Sequence, residues 1–147
     1  MLCPYCTATE TKVTDKRDNG SVARRRRECL KCGKRFTTYE RVELDLSVIK
    51  KDGRREKFSR DKLFEGIDKN LQKRQFTSEQ IDAIVDEVEA NIYRVAQDKD
   101  IKSSKIGDMV MNKLKRVDKV AYIRFAAVYR DFADIDEFRD EIRKLGK

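Results

Sequence analysis

Histidine is absent from the 147 residues of the chain. Its absence removes the side chain used most often in general acid-base catalysis, and it excludes metal fingers with mixed cysteine and histidine ligands. The sequence also lacks the G-x-x-x-x-G-K-[ST] phosphate loop, the G-x-G-x-x-G dinucleotide turn and the G-x-S-x-G nucleophile elbow. We therefore expect a protein that is not an enzyme.

Long apolar runs are also missing. No stretch approaches the roughly 18 consecutive apolar residues of a membrane span, and the N-terminus has no apolar signal-peptide core. Hydrophobic residues still make up 39% of the chain beside 42% charged residues, which is enough for a modest core. The composition predicts a folded cytoplasmic protein with no membrane partner.

The net charge of +8 is unevenly distributed along the chain. Residues 1–41 contain eleven Lys and Arg against five Asp and Glu, whereas residues 42–147 contain 24 against 22. This asymmetry predicts a small polyanion-binding module followed by a nearly neutral domain.

The four cysteines form two Cys-x-x-C pairs, Cys3 with Cys6 and Cys29 with Cys32, separated by 22 residues. Two such pairs are typical of a four-cysteine zinc ribbon, in which each short spacer lets two sulfurs converge on one ion. Four protein ligands leave no position for a bound water, so the single Zn²⁺ is expected to be structural. The alternative is a pair of disulfides or redox-active thiols.

Between the cysteine pairs, Asn19-Gly20 predicts a type I′ hairpin turn, with strands over 11–17 and 21–28. A module of about forty residues is too small for a self-sufficient core, so the metal must supply much of its folding free energy, on the order of 10 kcal/mol.

Four consecutive arginines, Arg24 to Arg27, precede the second cysteine pair. Strand alternation puts Arg24 and Arg26 on one face and Arg25 and Arg27 on the other. Some of this positive charge is expected to support the ionised thiolates, and the rest to bind nucleic-acid phosphate. A solvated charge run or a transport signal is the alternative. The candidate DNA-binding residues are Lys16, Arg17, Arg24, Arg25, Arg26, Arg27, Lys34 and Arg35.

The remainder of the chain predicts a small hairpin followed by helices. Asp52-Gly53 is the hairpin turn, with a return strand over 54–58. Helices are predicted after an N-cap at Ser59, after Thr77, over 104–116 and after an N-cap at Asp118. The run VAYIRFAAVYRDF in the last of these is expected to be a buried core helix. A further apolar stripe predicts a terminal helix that docks on its own domain or on a partner, and it contains Ile135, Phe138, Ile142 and Leu145.

Cations cluster around this second hairpin and the start of the following helix. Several such donors beside a helix N-terminus predict a polyphosphate site, although a solvated basic hairpin has the same composition. The cluster contains Lys50, Lys51, Arg54, Arg55, Lys57 and Lys62.

The chain resembles the NrdR family, bacterial transcriptional repressors of ribonucleotide reductase genes. The resemblance runs from residue 1 to about 138 and rests on the segments CPYC, RRRRECLKCGKRFTTYERVE, VIKKDGRREKFSRDKL, IGDMVMNKL and VAYIRFAAVYRDF. It implies an α+β fold with a DNA-binding zinc ribbon over 1–41 and an ATP-cone over 46–136, in which a small β-hairpin caps a four-helix bundle. A C-terminal helical tail over 137–147 would follow.

The resemblance also assigns residues. The zinc ligands would be Cys3, Cys6, Cys29 and Cys32, and the strand from Arg24 to Arg27 would belong to the DNA surface. The residues expected to bind ATP or dATP are Val48, Lys50, Lys51, Glu56, Lys62 and Tyr129. The family more often has arginine where Lys51 stands, and lysine keeps the charge but loses the bidentate guanidinium.

Three functions follow from these observations as hypotheses. The first is a repressor that binds double-stranded promoter DNA and whose homo-oligomeric assembly, and so operator occupancy, responds to ATP or dATP. The second is an allosteric accessory of a nucleotide enzyme, because ATP-cones also resemble allosteric modules of ribonucleotide reductases. The third is a zinc-ribbon module that binds RNA.

Overall fold

A computed structural model describes residues 1–20, 22–96 and 99–146. The chain forms two units, Met1–Glu43 and Leu44–Lys147, and the first contains only strands whereas the second combines strands with helices. The α+β class expected from the sequence is confirmed. None of the described helices is long and apolar enough to cross a membrane.

The first unit is a three-stranded antiparallel sheet in the order β1-β2-β3, with β1 over Thr11–Asp18, β2 over Val22–Cys29 and β3 over Arg35–Arg41. The predicted strands over 11–17 and 21–28 correspond to β1 and β2, although Ser21 lies outside the described residues. Strand β3 was not predicted. It places the arginine-rich β2 at the centre of the sheet, where both strand edges are hydrogen-bonded.

The turn between β1 and β2 differs from the expected type I′ geometry. Gly20 has a φ of +84°, but Asn19 is not among the residues with positive φ. Instead, the Asn19 backbone N–H donates to the Val22 carbonyl at 3.3 Å, and the Asn19 side-chain oxygen accepts from the Val22 N–H at 2.8 Å. The asparagine therefore closes the turn with its side chain, and the expectation of positive φ at Asn19 was wrong.

The second unit begins with a small sheet in the order β5-β4-β6, formed by β4 over Ser47–Ile49, β5 over Arg55–Lys57 and β6 over Asp100–Lys102. Strand β4 is antiparallel to β5 and parallel to β6. The predicted hairpin is present, and its turn is closed by a hydrogen bond of 3.0 Å from the Gly53 N–H to the Lys50 carbonyl. Gly53 adopts a φ of +84°, which a side chain would disfavour.

The described residues of the second unit also form five helices, and most of the helix starts follow from local chemistry. The Ser59 hydroxyl accepts from the Lys62 N–H, Thr77 and Gln80 form a reciprocal capping box, and Asp118 accepts from the Ala121 N–H. These caps agree with the sequence prediction. The helices are α1 (Arg60–Leu71), α2 (Ser78–Val95), α3 (Ser103–Val117), α4 (Lys119–Tyr129) and α5 (Ile135–Arg143).

The core of the second unit lies among α1 to α4, under the small sheet. Ile67, Ile92 and Leu114 are almost fully buried, one on each of the first three helices. Helix α4 buries only the side that carries Ala121, Tyr122 and Ala126, and Val120 and Val128 are 45% and 87% exposed. The expected core helix is therefore present, and the core covers one side of it while Val120 and Val128 lie on the other.

Helix α5 docks on its own unit mainly through polar groups. The buried carboxylate of Glu141 accepts hydrogen bonds from the Tyr122 hydroxyl and from Arg130 at 3.0 Å, and Lys119 Nζ donates to the Leu145 carbonyl at 2.7 Å. Leu145 is buried, whereas Ile135 is 74% exposed. Of the predicted apolar stripe, therefore, only part contacts the unit. Lys147, the last residue of the predicted tail, lies outside the described residues.

The connection from α1 to α2 is tied to the start of α4. Arg124 donates to the Gln72 carbonyl at 2.8 Å, just after the end of α1, and Arg74 Nε lies 2.9 Å from Asp118 Oδ2. Asp118 thus accepts from both the N-terminus of α4 and a cation of the preceding connection. Burial acts to raise the pKa of Asp118, but the Ala121 N–H and the Arg74 guanidinium outweigh it and hold the pKa below its usual value.

We predict that Asp118→Ala lowers the free energy of unfolding of the second unit by about 1–2 kcal/mol at neutral pH, because it removes an N-cap and an ion pair. Asp118→Asn should cost less, since asparagine remains a good cap. A carboxyl with a lowered folded pKa stabilises the fold above its unfolded pKa and loses that contribution as the pH falls through the folded value. Denaturant unfolding from pH 7 downward should therefore show the difference between wild type and Asp118→Asn shrinking in acid. Equal stability of all three proteins at neutral pH would contradict the role of Asp118.

Candidate functional site

The four cysteine sulfurs converge at one end of the first unit. Cys3 and Cys6 belong to the turn before β1, Cys29 ends β2, and Cys32 lies in the turn that follows. All four Sγ atoms lie within 4.8 Å of one another, with 3.7 Å between Cys3 and Cys32 and 3.6 Å between Cys6 and Cys29. A tetrahedral zinc ion with Zn–S bonds of about 2.3 Å separates its sulfurs by about 3.8 Å, so the cluster fits a four-thiolate zinc centre.

Each cysteine pair forms a knuckle, the first over residues 3–6 and the second over residues 29–32, and the pKa values of Cys6 and Cys29 are shifted in opposite directions. The four cysteines are free thiols, and Cys3 and Cys29 are buried. The Cys32 N–H makes the largest contribution to lowering the pKa of the Cys29 thiol to about 6, and the Lys31 N–H acts in the same direction. Since the thiolate is the form that binds zinc, the second knuckle favours the ligating state. The Ala8 N–H acts to lower the pKa of Cys6, but burial and the other three cysteine sulfurs outweigh it and raise this pKa to about 11. The amides therefore favour the thiolate at Cys29 and not at Cys6.

The arginines of β2 divide between the two faces of the sheet, as strand alternation requires. On one face, Arg25 forms an ion pair with Glu40, and Arg27 donates to the hydroxyl of Thr38 at 3.2 Å and of Thr11 at 3.3 Å. These two guanidinium groups are held by neighbouring strands of the sheet. They are therefore less available to an external anion.

The opposite face, which we call the Arg26 face, carries Arg17, Arg24, Arg26, Tyr39 and Arg41. It also carries Thr37 and one carboxylate, that of Asp15, which stands opposite Arg26 and lies 3.5 Å from Arg17 Nε. The strand register sets Arg24 opposite both Arg17 and Tyr39, and directly opposed residues share a face. The Arg41 guanidinium lies 4.8 Å from the centre of the Tyr39 ring. The Arg26 side chain is exposed and forms no ion pair within the described residues. Cations interleaved with an aromatic ring are typical of a nucleic-acid surface.

The remaining candidate DNA residues lie elsewhere. Lys16 stands opposite Arg25, on the face of Arg25 and Arg27. Lys34 lies 4.8 Å from the ring centre of Tyr5, beside the first knuckle, and Arg35 is 2.9 Å from Glu28. Tyr39 and Arg41 were not predicted as part of this surface. They are two residues apart in the segment RFTTYER and would share a face if it were a strand, but β3 was not recognised as a strand.

A cavity of about 250 Å³ opens in the second unit between the β4–β5 hairpin and helices α1, α3 and α4. It is slightly smaller than the roughly 300–1,000 Å³ typical of small-molecule sites. Five of the six residues expected to bind nucleotide line it, and Lys51 is the exception because it is exposed in the hairpin turn. The five are Val48, Lys50, Glu56, Lys62 and Tyr129.

One carboxylate organises the cationic part of this cavity. Glu56 Oε2 lies 3.2 Å from Lys62 Nζ and 3.5 Å from Lys50 Nζ. The Lys62 ammonium, and after it that of Lys50, holds the pKa of Glu56 below its usual value, so the carboxylate remains ionised and keeps the two lysines together. Two ammonium groups against one carboxylate leave a net positive charge, and Lys57 also lines the cavity.

Two helices begin at the cavity. Ser59, the N-cap of α1, and Ser103, the first residue of α3, both line it. Helix α3 has no side-chain cap and no acidic residue in its first turn. The N–H groups of a helix N-terminus carry partial positive charge, so both helix starts favour an anion in the cavity.

An ion-pair cluster fixes the start of α1 against α2. Arg60 Nη2 lies 3.0 Å from Asp82 Oδ1 and 2.6 Å from Asp86 Oδ1, and Arg60 Nε lies 3.4 Å from Glu89 Oε2. Because Arg60 directly follows the N-cap Ser59, these contacts determine where the first turn of α1, with Lys62, meets the cavity. The sequence analysis gave Arg60 no role.

Apolar side chains from α3 and α4 form the other wall. The rings of Phe125 and Tyr129 are stacked with centroids 5.5 Å apart and planes at 27°, and Ile106 and Val110 lie beside them. Phe125 was not predicted, although it precedes the candidate Tyr129 by one helical turn and therefore shares its face. The cavity thus joins a cationic wall to an aromatic one, an arrangement suited to a ligand with an anionic and a planar part.

Comparison with known proteins assigns both units. A family model described as transcriptional repressor NrdR-like, N-terminal domain, matches residues 1–40, and one described as ATP cone domain matches residues 46–135. The Transcriptional repressor NrdR of Caldicellulosiruptor saccharolyticus is 53% identical, covering 99% of this chain and 96% of that protein. The protein of that name from Acetivibrio thermocellus is also 53% identical, with 99% and 97% covered, and that from Aromatoleum aromaticum is 49% identical, with 99% and 86% covered. The chain therefore belongs to the NrdR family, whose relatives compared here are named transcriptional repressors.

Proposed function

We propose that this protein is a DNA-binding transcriptional repressor of ribonucleotide reductase genes that responds to ATP or dATP and acts in the bacterial cytoplasm. The observation that carries the proposal is the presence, in one chain, of a four-thiolate ribbon with a cationic face and of a cavity with cationic and aromatic walls. Membership in a family of named repressors supports it and agrees with the expectation that the chain is not an enzyme.

In this proposal one structural Zn²⁺ is held by Cys3, Cys6, Cys29 and Cys32. The ion supplies cross-linking and no reaction, because its four positions are filled by thiolates. The small number of buried apolar side chains in the first unit supports this role, since the described residues there bury only Val22 besides two of the cysteines. Metal binding would thereby keep the sheet folded and its cationic face in place.

The Arg26 face is the proposed contact with the phosphates of double-stranded promoter DNA. Arg25 and Arg27 instead act within the sheet, through Glu40, Thr38 and Thr11. Arg24 and Arg26 project from the central strand, so the strands on either side hold them in register. The proposal also leaves Lys16, Lys34 and Arg35 as possible flanking contacts from the sequence analysis.

The cavity of the second unit is the proposed site for ATP or dATP. Lys50 and Lys62 would meet the phosphates together with the N-termini of α1 and α3, while Val48 and Tyr129 would contact the less polar part of the nucleotide. Glu56 would hold the two lysines in place, as its distances from both support. Lys51, which does not line the cavity, stays a prediction from the family resemblance.

We further propose that the bound nucleotide controls assembly of several copies of the chain and so the occupancy of DNA. A nucleotide shifts an equilibrium between assemblies only if it binds one of them more tightly. Helix α4 supports such a link because Tyr129 lines the cavity while its neighbour Val128 is 87% exposed. The same short helix therefore contacts the ligand site and presents apolar surface to the outside.

For the DNA surface, we predict that Arg26→Gln weakens binding to a promoter duplex about tenfold, as expected for loss of a charged hydrogen bond. The slope of log affinity against log salt should fall by about 0.9, since one phosphate contact is lost. Fluorescence anisotropy over a salt series measures both quantities.

Arg25→Gln is the matched control, because it removes the same charge from the opposite face. It should change DNA affinity no more than about twofold, since its guanidinium already pairs with Glu40. Both variants should retain one zinc ion per chain, whereas Cys29→Ser should lose zinc and DNA binding together. Loss of zinc from Arg26→Gln would show instead that the arginines mainly support the thiolates.

For the cavity, we predict that Lys62→Met weakens ATP binding about tenfold, because an ammonium contact with phosphate is lost. Lys69→Met provides the control, since Lys69 is exposed on the same helix about two turns away and should change affinity by less than about twofold. Titration calorimetry on the zinc-loaded chain measures the affinities. Equal effects of the two substitutions would place the phosphates away from the cavity.

For the response, we predict that the ATP-loaded and dATP-loaded proteins differ in assembly mass and in affinity for promoter DNA. Light scattering on the ligand-free, ATP-bound and dATP-bound chain, repeated with promoter duplex, measures both. The same DNA affinity in every nucleotide state would exclude gating. Tighter binding to structured RNA than to the duplex at matched salt would favour an RNA-binding module.

A further inference from the structure

Gly107 on α3 directly faces the ring of Tyr129 on α4. A Cβ atom built on Gly107 would overlap Cε2 and Cζ of that ring and would lie 2.5 Å from its hydroxyl oxygen. Gly107 is buried and lines the cavity together with Tyr129. The tyrosine ring therefore occupies the space that any other amino acid at position 107 would need for its side chain.

The Tyr129 ring is held in this position from two further sides. Its hydroxyl donates to the backbone carbonyl of Ser104, and its face stacks on Phe125 one helical turn earlier. Burial raises the pKa of the Tyr129 hydroxyl, so the proton needed for this hydrogen bond is present at neutral pH. Gly107, Ser104 and Phe125 thus fix the ring as a wall of the cavity.

The chain offers an internal comparison in Gly66. This glycine also lies within a helix, α1, and also lines the cavity, but apart from its chain neighbours and the backbone of its own helix no described atom lies within 4 Å of a Cβ at that position. Replacing glycine by alanine within a helix usually favours the helix, because it reduces the freedom of the unfolded chain. Any difference between the two positions therefore reports the contact with Tyr129.

We propose that Gly107 is a specificity-determining position of the cavity, because its lack of a side chain lets the Tyr129 ring lie on α3 and form the wall against which the base of a bound nucleotide rests. The inference deepens the nucleotide-binding function proposed above and rests on it. An aromatic ring presents a flat π-face, which stacks on a planar base, whereas the phosphates are drawn to the separate wall of Lys50 and Lys62.

A change at position 107 should affect the contact with the base of the nucleotide and leave the contacts with its phosphates unchanged. A side chain at position 107 forces the ring into the cavity or out of it, and either movement changes the surface on which the base rests. The two lysines of the phosphate wall are carried by the β4–β5 hairpin and α1, and α3 contributes to that wall only its first turn at Ser103, four residues before Gly107. An anion without a base should therefore bind as before when position 107 is changed.

The experiment is titration calorimetry on the zinc-loaded full chain, with ATP and inorganic triphosphate as the probes. Gly107→Ala should weaken ATP binding about tenfold, a typical consequence of overpacking, while triphosphate binding stays within about twofold of wild type. Lys69→Met, on the exposed side of α1 and outside the cavity lining, should leave both ligands within about twofold. In a Tyr129→Ala background, which removes the clash, Gly107→Ala should change ATP affinity by less than about twofold.

The melting temperatures of the ligand-free variants show whether a loss of ATP binding comes from a loss of folding stability. Gly107→Ala should lower the melting temperature relative to Gly66→Ala, and the double variant Gly107→Ala/Tyr129→Ala should recover part of that loss relative to Tyr129→Ala alone. Binding of ATP by Gly107→Ala as tight as by the unmodified chain would overturn the proposal. So would equal losses for ATP and triphosphate, because they would mean a general collapse of the cavity. Absence of ATP binding by the unmodified chain would instead overturn the nucleotide-binding function itself.

Discussion

Both units of this chain place several positive side chains close together, and the repulsion between them must be offset. Each unit offsets it with carboxylates that pair with some of the cations. In the first unit, Glu40 and Glu28 pair with some of the cations on and around β2. In the second, Glu56 lies between Lys50 and Lys62. Each carboxylate holds the side chains of the cations that pair with it in place. The positive charges still outnumber the negative ones on both surfaces. The positive charge that remains is exposed on the surfaces proposed to bind DNA and nucleotide, where a polyanion would complete the balance.

The two units hold their cationic side chains in place by different means. The first has too few buried apolar side chains for a core of its own, and the thiolate cluster stands in that place, at the end of the strand that carries the arginines. The second has a true helical core. Its cationic wall is held by the ion pairs of Arg60 with carboxylates of α2 and by the Ser59 cap that begins α1. Loss of metal should therefore affect the first unit far more than the second.

The features that could be predicted from the sequence are those with local causes. The cysteine spacing, the caps at Ser59, Thr77 and Asp118, and the alternation of the β2 arginines each depend on residues within a few positions of one another. They recur in the structure where the sequence indicated them. Five of the six nucleotide candidates line one cavity because the family motif carries the long-range arrangement that local reasoning lacks.

The features that were missed depend on contacts between distant segments. Strand β3 is polar and short, and only its pairing with β2 reveals that Tyr39 joins the Arg26 face. Strand β6 has three residues and follows α2, so no local pattern marks its parallel pairing with β4. The turn at Asn19 was misjudged because the side chain, and not the backbone conformation, closes it. Gly107 is informative only once Tyr129 is seen on the facing helix.

Helix α4 shows why the missed features matter for function. Its two sides face different environments, since Tyr129 and Phe125 line the cavity while Val120 and Val128 are exposed. Tyr122 on the same helix contacts the buried Glu141 of α5, so α4 also holds the terminal helix. Interiors are closely packed, and a displacement of one side of a helix cannot be absorbed without movement of the whole element. A ligand that pushes on the Tyr129 wall therefore acts on the exposed apolar side chains and on α5 together. In the proposed function, this packing would give a nucleotide in the cavity a physical route to the exposed apolar side chains of α4, through the Tyr129 ring that packs on Gly107.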